Sequence, residues 1–193
     1  MINFQYLYRG LCGLARAHRA NPLAGHLGAA VVAGYFFGED QPDVAEEVQV
    51  AVEGELTRII QGEESLWYDR KKVGIAIPEI FERFPEERPH VESTASIVQA
   101  LGATIGQLHE SGHNVIFAAI ALRALHDHPA YATPSIVEGV RKLIDGFRAA
   151  GRVAGTMASN GDGSPETRSA FRTMEQFRST EASRRWRMWC WRN

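Results

Sequence analysis

One short stretch of the sequence has residue types and spacing that suit metal chemistry: "QLHESGHNVIF", residues 107–117. His109, Glu110 and His113 form the pattern H-E-x-x-H. On a continuous helix this spacing would place both imidazoles on one face, with the carboxylate beside them. Imidazole ligands can hold Zn²⁺ with one position open for water, whose pKa the metal lowers, and a carboxylate can accept the proton. The motif therefore predicts a zinc-dependent hydrolase, with His109 and His113 as ligands and Glu110 as the base.

The five residues "HESGH" are similar to the motif of zincin-type zinc peptidases, many of which carry glycine before the second histidine. The resemblance implies a bound zinc ion and hydrolytic activity, and it covers these five residues only. The extension that supplies a third ligand in metzincins is absent from this sequence. Candidates for a third ligand are Asp127, His128 and Glu138, and the sequence selects none of them.

Two longer segments of the sequence resemble each other, residues 25–62 and residues 112–146. Each begins with glycine and histidine, continues as an apolar helix, crosses a turn and then runs as an amphipathic helix to a glycine. One further amphipathic helix precedes each copy. The pattern predicts an internal repeat of two three-helix units.

The repeat gives the second histidine of the motif a different interpretation. Gly112 becomes equivalent to Gly25 and marks a helix boundary, so the chain would turn there instead of continuing as one helix. His26 and His113 then lie at matching helix starts, at the same end of a helical bundle. We expect both imidazoles to act as polar or catalytic groups of a small-molecule pocket, with Asn114 beside them.

Residues 63–91 interrupt the helical pattern with charged, aromatic and proline residues. A long irregular connection in a compact helical domain is often functional. Aromatic walls with a few polar groups are typical of small-molecule sites. We therefore expect four consecutive residues of this segment to contribute to ligand binding: Trp67, Tyr68, Asp69 and Arg70.

Helical spacing of apolar residues dominates the rest of the chain. It predicts helices near residues 3–19, 25–37, 44–61, 92–110, 113–127 and 134–148, and a short helix near 78–84. No useful segment alternates with period two, so we predict an all-α fold of antiparallel helical hairpins over residues 1–150. As a partial ring or bundle, this arrangement resembles the α/α-toroid proteins. That resemblance is architectural, carries no catalytic motif, and implies small-molecule enzymes such as those that process sugars or terpenoids.

Composition and charge limit the classes of protein that this sequence can represent. Among its 193 residues, 45% are hydrophobic and 23% are charged, and the formal net charge of −2 gives no support to nucleic-acid binding. Cys12 and Cys190 do not form a disulfide framework, so we expect a reducing compartment. No window approaches the roughly 20 apolar residues of a membrane span, and the N-terminus lacks the pattern of a signal peptide. These features predict a cytoplasmic protein.

The C-terminal part of the sequence, residues 151–193, differs in character from the preceding domain. It begins with small polar residues that predict a loop, and a helix is expected from about residue 165. The end, "RRWRMWCWRN", is basic and rich in tryptophan. We interpret the region as a helical or disordered extension. It also fits a third functional class, a non-catalytic helical scaffold that binds a protein partner.

Overall fold

Helices supply all of the regular secondary structure in the part of the chain that the structure describes. The computed structural model describes the backbone of residues 2–63, 74–104, 109 and 112–158, and side chains as far as residue 148. Its seven α-helices are α1 (Phe4–Ala17), α2 (Gly25–Asp40), α3 (Glu46–Gln61), α4 (Ile77–Ile80), α5 (Ala95–Gly102), α6 (His113–Asp127) and α7 (Pro134–Ala158). Three short 3-10 helices lie between them: Pro22–Ala24, Val91–Thr94 and Pro129–Tyr131. No described residue lies in a β-strand, so the predicted all-α class is confirmed.

Two of the predicted helix boundaries have a clear backbone cause. Helix α3 ends at Gly62, whose φ of +82° places it in the left-handed region that glycine adopts without strain. The Gly62 amide donates to the carbonyl of Ile59 at 3.0 Å, which satisfies one of the carbonyls left at the helix end. Helix α6 occupies residues 113–127, as its apolar spacing predicts.

The helix predicted over residues 92–110 is wrong in its length. The structure has a 3-10 helix at Val91–Thr94 and then the eight residues of α5. Beyond α5, the Thr104 hydroxyl donates to the Leu101 carbonyl at 2.6 Å. Such side-chain bonds compete with further helical turns, because they satisfy the terminal carbonyls in another way. His109 lies outside any helix.

The end of the last repeat unit also differs from the prediction. Helix α7 was expected to end near residue 148 and to be followed by a loop, but it continues to Ala158. A glycine costs about 1 kcal/mol in a helix interior, and the good helix formers around the glycines offset this. Gly146 therefore lies inside α7, whereas its counterpart Gly62 ends α3. The proposed repeat and the resemblance to α/α toroids stay predictions.

Helix α1 forms the centre of the core. Ten of its fourteen residues are buried, against nine of the sixteen residues of α2. A Cβ atom added at Gly28 of α2 would lie 2.3 Å from the Leu14 amide nitrogen of α1. A Cβ at Gly139 of α7 would lie 2.3 Å from the Ala15 carbonyl oxygen of α1. The backbones of α2 and α7 therefore approach α1 more closely than any side chain would permit.

A buried arginine attaches the segment after α4 to α1. Arg16 is 8% exposed, and its guanidinium donates to the carbonyls of Ile80, Glu82 and Arg83. The same group lies 3.7 Å from the centre of the Phe84 ring, which gives a cation–π contact. Five donors in a fixed planar fork suit this task, because one side chain can satisfy several carbonyls that have no helical partner.

We predict that Arg16→Met destabilises the protein strongly. The substitution keeps an unbranched apolar stem but leaves buried carbonyls without donors, which costs about 2–4 kcal/mol of unfolding free energy in total. Urea denaturation followed by circular dichroism measures the loss. Arg58→Met is the matched control, because Arg58 is half exposed and pairs with Glu55 and Glu63 at the surface, so it should cost less than about 1 kcal/mol. Equal losses in the two variants would contradict this role for Arg16.

Candidate functional site

The backbone turns at Gly112. Its φ of +90° and ψ of +10° lie in the left-handed region, and α6 begins at the next residue, His113. The Gly112 amide donates to the carbonyl of His109 at 2.9 Å, which closes the turn. A left-handed residue cannot continue a right-handed helix. The H-E-x-x-H pattern therefore does not lie on one continuous helix, and the helix boundary predicted from the repeat is present.

This turn removes the helical basis of the predicted zinc site. His109 is buried, 8% exposed, and does not share a helix face with His113. Asp127 and His128 follow at the other end of α6, roughly 20 Å along its axis, too far to join His113 at one metal ion. Glu138 pairs with Arg141 at 2.7 Å. No group of three or more His, Cys, Asp or Glu side chains is placed to hold a metal ion within the described residues.

Other predicted site residues lie where the structure gives no description. Glu110, the expected base, is outside the described residues, and so are the four residues expected to line a pocket, Trp67, Tyr68, Asp69 and Arg70. The roles assigned to them stay predictions.

The structure brings the histidines of the two Gly-His pairs into direct contact. His26 lies in the first turn of α2, and His113 is the first residue of α6. Their ring centroids are 4.5 Å apart, with 61° between the ring planes. Phe117, one turn further along α6, lies 5.2 Å from the His26 ring and 5.8 Å from the His113 ring. His26 is exposed and His113 is half-buried, so the three rings form a surface cluster, called here the histidine pair and its Phe117 wall.

The two glycines before these histidines have different physical functions. Gly112 supplies the left-handed turn, whereas Gly25 lies in right-handed helical backbone and provides space. A Cβ atom at Gly25 would lie 2.6 Å from Phe117 Cε2 and 3.2 Å from Leu143 Cδ2. Phe117 is 1% exposed, so it cannot move aside without disturbing the core. The missing side chain of Gly25 is what allows the start of α2 to pack against α6.

The hydrogen bonding of His26 fixes which of its ring nitrogens carries the proton. Nδ1 lies 2.8 Å from the Leu23 carbonyl, which can only accept, so Nδ1 donates and Nε2 is the acceptor nitrogen of the neutral ring. Partial burial of the ring lowers the pKa of His26. The hydrogen bond to the Leu23 carbonyl raises this pKa, and electrostatic interaction with the neighbouring His113 lowers it further. The net effect favours the neutral form of His26.

Asn114 carries a buried acceptor for which the described part of the chain supplies no donor. It is 2% exposed, and its Nδ2 donates to Thr104 Oγ1 at 2.8 Å. The Thr104 hydroxyl hydrogen is used by Leu101, so Thr104 can only accept here, and the orientation of the amide is fixed. Among the described residues, Asn114 Oδ1 has no hydrogen-bond partner. Such a group costs about 1–3 kcal/mol when it is left unpaired, and an ordered water or a ligand is its usual partner.

The sequence did not predict a second cluster, which lies around His128. His128 follows α6, and its ring is packed among aromatic rings from three segments. The ring centroids lie 5.2 Å from Phe4, 5.7 Å from Tyr35, and 6.5 Å from both Phe36 and Tyr131. Nε2 lies 3.3 Å from a Glu39 carboxylate oxygen, but the angles do not make this a hydrogen bond. Only tertiary packing assembles this cluster, so no local pattern could have revealed it.

Comparisons with known proteins identify no relative of this chain. No protein-family model, curated protein or solved structure matches the chain. Within the described residues, no helix is both long enough and apolar enough to cross a lipid bilayer.

The turn at Gly112 predicts a specific pattern of stability changes. Gly112→Ala should lower the unfolding free energy by about 1–2 kcal/mol, because alanine is strained at positive φ. Gly54→Ala is the control, since Gly54 lies inside α3 with open space around it and alanine should stabilise the helix by about 0.5–1 kcal/mol. Thermal and urea unfolding measure both variants. If Gly112→Ala stabilised the protein as Gly54→Ala should, the helix would run through the motif.

The contact between the histidines predicts a pH effect with a definite sign. The folded-state pKa of His26 should lie below the unfolded value of about 6.5, so stability should fall as the pH drops through this range. His113→Ala should raise the pKa of His26, because it removes both a neighbouring charge and part of the burial. NMR titration of the ring protons measures this, with His90→Gln as a control that leaves His26 unchanged. An unchanged His26 pKa in the His113→Ala protein would rule out the coupling.

Proposed function

We propose that the protein binds a small molecule at the end of the helical domain where His26 and His113 meet. The observation that carries this proposal is the 4.5 Å contact between two imidazoles that come from separate helix starts. Two histidines on separate helices reach such a contact only through tertiary packing. Gly25 contributes to it by allowing Phe117 to support both rings.

The chemistry of these groups supports a ligand site. The histidine pair offers a neutral acceptor nitrogen on His26, and the Phe117 wall offers an apolar surface. Asn114, the next residue after His113, has a buried carbonyl oxygen that no described residue supplies with a donor. An apolar wall with a few fixed polar groups is the usual composition of a small-molecule site. Buried polar groups that remain unpaired also favour a functional explanation over a purely structural one.

The same groups are suitable for catalysis. A neutral imidazole of fixed tautomer can act as a general base, because it accepts a proton at Nε2 while the Nδ1 hydrogen stays on the Leu23 carbonyl. The α/α-toroid proteins that the sequence resembles include small-molecule enzymes. We therefore propose His26 as the proton acceptor and His113 as its partner in any turnover of the bound molecule.

Fragment binding tests the proposal. The metal-free protein in EDTA is screened by ligand-observed NMR, and the hits are repeated with His26→Gln, His113→Gln and the exposed control His126→Gln. Fragments that bind the wild type and the control, and weaken at least tenfold in both pair variants, would support the site. Fragments that bind all four proteins equally, or no fragments at all, would overturn it.

Metal analysis separates the zinc alternative from this proposal. A hydrolase built on the H-E-x-x-H motif should bind stoichiometric zinc that is lost in His109→Ala and His113→Ala and retained in His26→Ala. A scaffold that binds a protein partner predicts neither zinc nor fragment binding at the histidine pair.

A further inference from the structure

Helices α2 and α6 run side by side in the same direction. At their starts, the ring centroids of His26 and His113 lie 4.5 Å apart. At the end of α2, Asp40 accepts a hydrogen bond from Arg123 of α6 at 2.6 Å, and the Arg123 guanidinium lies 3.8 Å from the centre of the Phe36 ring. Because the helices touch at both places, their outward sides share one surface of the domain.

The outward side of α2 is apolar. Between His26 and Asp40, its exposed positions are Ala30, Ala33 and Phe37, whose spacing of three and four residues places them on one helix face. The Phe37 side chain is large, and the residue is 40% exposed. Residues 20–38 include no Asp, Glu, Lys or Arg. A helix that is apolar on all sides is normally covered on all sides, so this face is suited to contact with another molecule.

The adjoining side of α6 continues this apolar surface. Ile116 and Ala119 lie in the row of α6 that leads from His113 to Arg123, at spacings of three and four residues. Since His113 and Arg123 both contact α2, this row lies beside α2. Ile116 is 53% exposed, and Ala119 is also exposed. The exposed apolar residues of the two helices are called here the α2–α6 face: Ala30, Ala33, Phe37, Ile116 and Ala119. Contiguous apolar surface of this kind marks interaction sites.

One end of the α2–α6 face is strongly acidic. Residues 20–57 contain seven Asp and Glu residues and no Lys or Arg. Asp43, Glu46 and Glu47 lie in the connection after α2 and the first turn of α3, and all three are exposed. Opposite charges across an interface steer association and fix the orientation of the partner. The acidic end therefore favours a partner that combines an apolar surface with positive charge.

The same charges argue against two other occupants. The α2–α6 face of a second copy would bring Arg123 as its basic side chain, and Asp40 and Asp127 already hold that guanidinium. An anionic membrane surface would be repelled by the exposed carboxylates. A helix suits the face in shape, because small residues such as Ala30 and Ala33 allow a close approach and an amphipathic helix binds through a row of apolar side chains.

We propose that the α2–α6 face is a docking site for a cationic amphipathic helix of a partner protein. The apolar stripe of that helix lies along α2 and against Ile116, and its Lys or Arg residues lie at the end nearest Asp43, Glu46 and Glu47. None of the five residues of the face belongs to the histidine pair. The inference therefore goes beyond the proposed function and can fail or succeed separately from it.

A labelled model peptide tests the proposal by fluorescence anisotropy with the full-length protein. The probe is a helical peptide of about 18 residues, long enough to span α2, with leucine along one face and lysine elsewhere. The wild type should bind it, and Phe37→Gln and Ile116→Gln should each weaken binding by about tenfold or more, because each removes apolar contact. Val98→Gln is the matched control, since Val98 of α5 is 54% exposed and lies outside the face.

A second set of variants tests the charge argument. The double variant Glu46→Gln/Glu47→Gln should weaken binding by about fivefold and reduce its dependence on salt concentration, because exposed charge pairs are modest in strength and screened by ions. Its control is Glu82→Gln/Glu86→Gln, which neutralises two exposed carboxylates outside the acidic end. A peptide with glutamate in place of every lysine should not bind. Circular dichroism of each variant checks that it is folded.

Failure of the lysine peptide to bind the wild type would overturn the proposal. Equal binding by the wild type, Phe37→Gln and Ile116→Gln would do the same, as would equal binding of the glutamate peptide. A dimer in analytical ultracentrifugation that Phe37→Gln dissociates would assign the face to a second copy instead. Binding to phosphatidylserine vesicles that Phe37→Gln abolishes would assign it to a membrane surface.

The peptide and fragment experiments have independent outcomes. A protein that binds fragments at the histidine pair and does not bind the lysine peptide disproves the docking site alone. A protein that binds the peptide through the α2–α6 face and does not bind fragments disproves only the small-molecule site.

Discussion

The close backbone approach of α2 and α7 to α1 is the constraint on which the other packing depends. At Gly28 and Gly139, a single added carbon would lie 2.3 Å from the backbone of α1. Helices that approach this closely have little freedom to slide or rotate, because packed cores tolerate neither voids nor overlap. With α2 and α7 fixed against α1, the starts and ends of these helices occupy defined places. The histidine pair depends on this, since one of its members lies in the first turn of α2.

Close packing made possible by a glycine also positions the histidine pair at the surface of the domain. Gly25 lets the buried Phe117 ring pack against the start of α2, and Phe117 in turn supports both imidazoles. Phe117 also contacts Phe147 of α7, with ring centroids 5.9 Å apart. Phe117 thus connects both imidazoles to the core. A site supported in this way can hold a ligand with little loss of side-chain entropy on binding.

The buried polar side chains of Arg16 and Asn114 differ in how fully they are hydrogen-bonded. Arg16 is surrounded by acceptors, and its guanidinium joins α1 to the segment after α4. The amide nitrogen of Asn114 donates to Thr104, while its carbonyl oxygen has no donor within the described residues. The first arrangement stabilises the fold, whereas the second costs free energy. Proteins commonly accept such a cost at functional sites, and Asn114 directly follows His113 in the sequence.

The sequence by itself determined the helical class, the position of α6 and the end of α3, because the spacing of apolar residues and the conformational freedom of glycine act locally. It also suggested that Gly112 begins a new unit, since the Gly-His start recurs at Gly25. The sequence failed where local signals were weak, at the short α5 and at the long α7, whose glycines did not end the helix. Tertiary structure alone decided that His26 touches His113 and that His128 is enclosed by aromatic rings. These contacts join residues far apart in the chain, and only the packing of whole helices determines which faces meet.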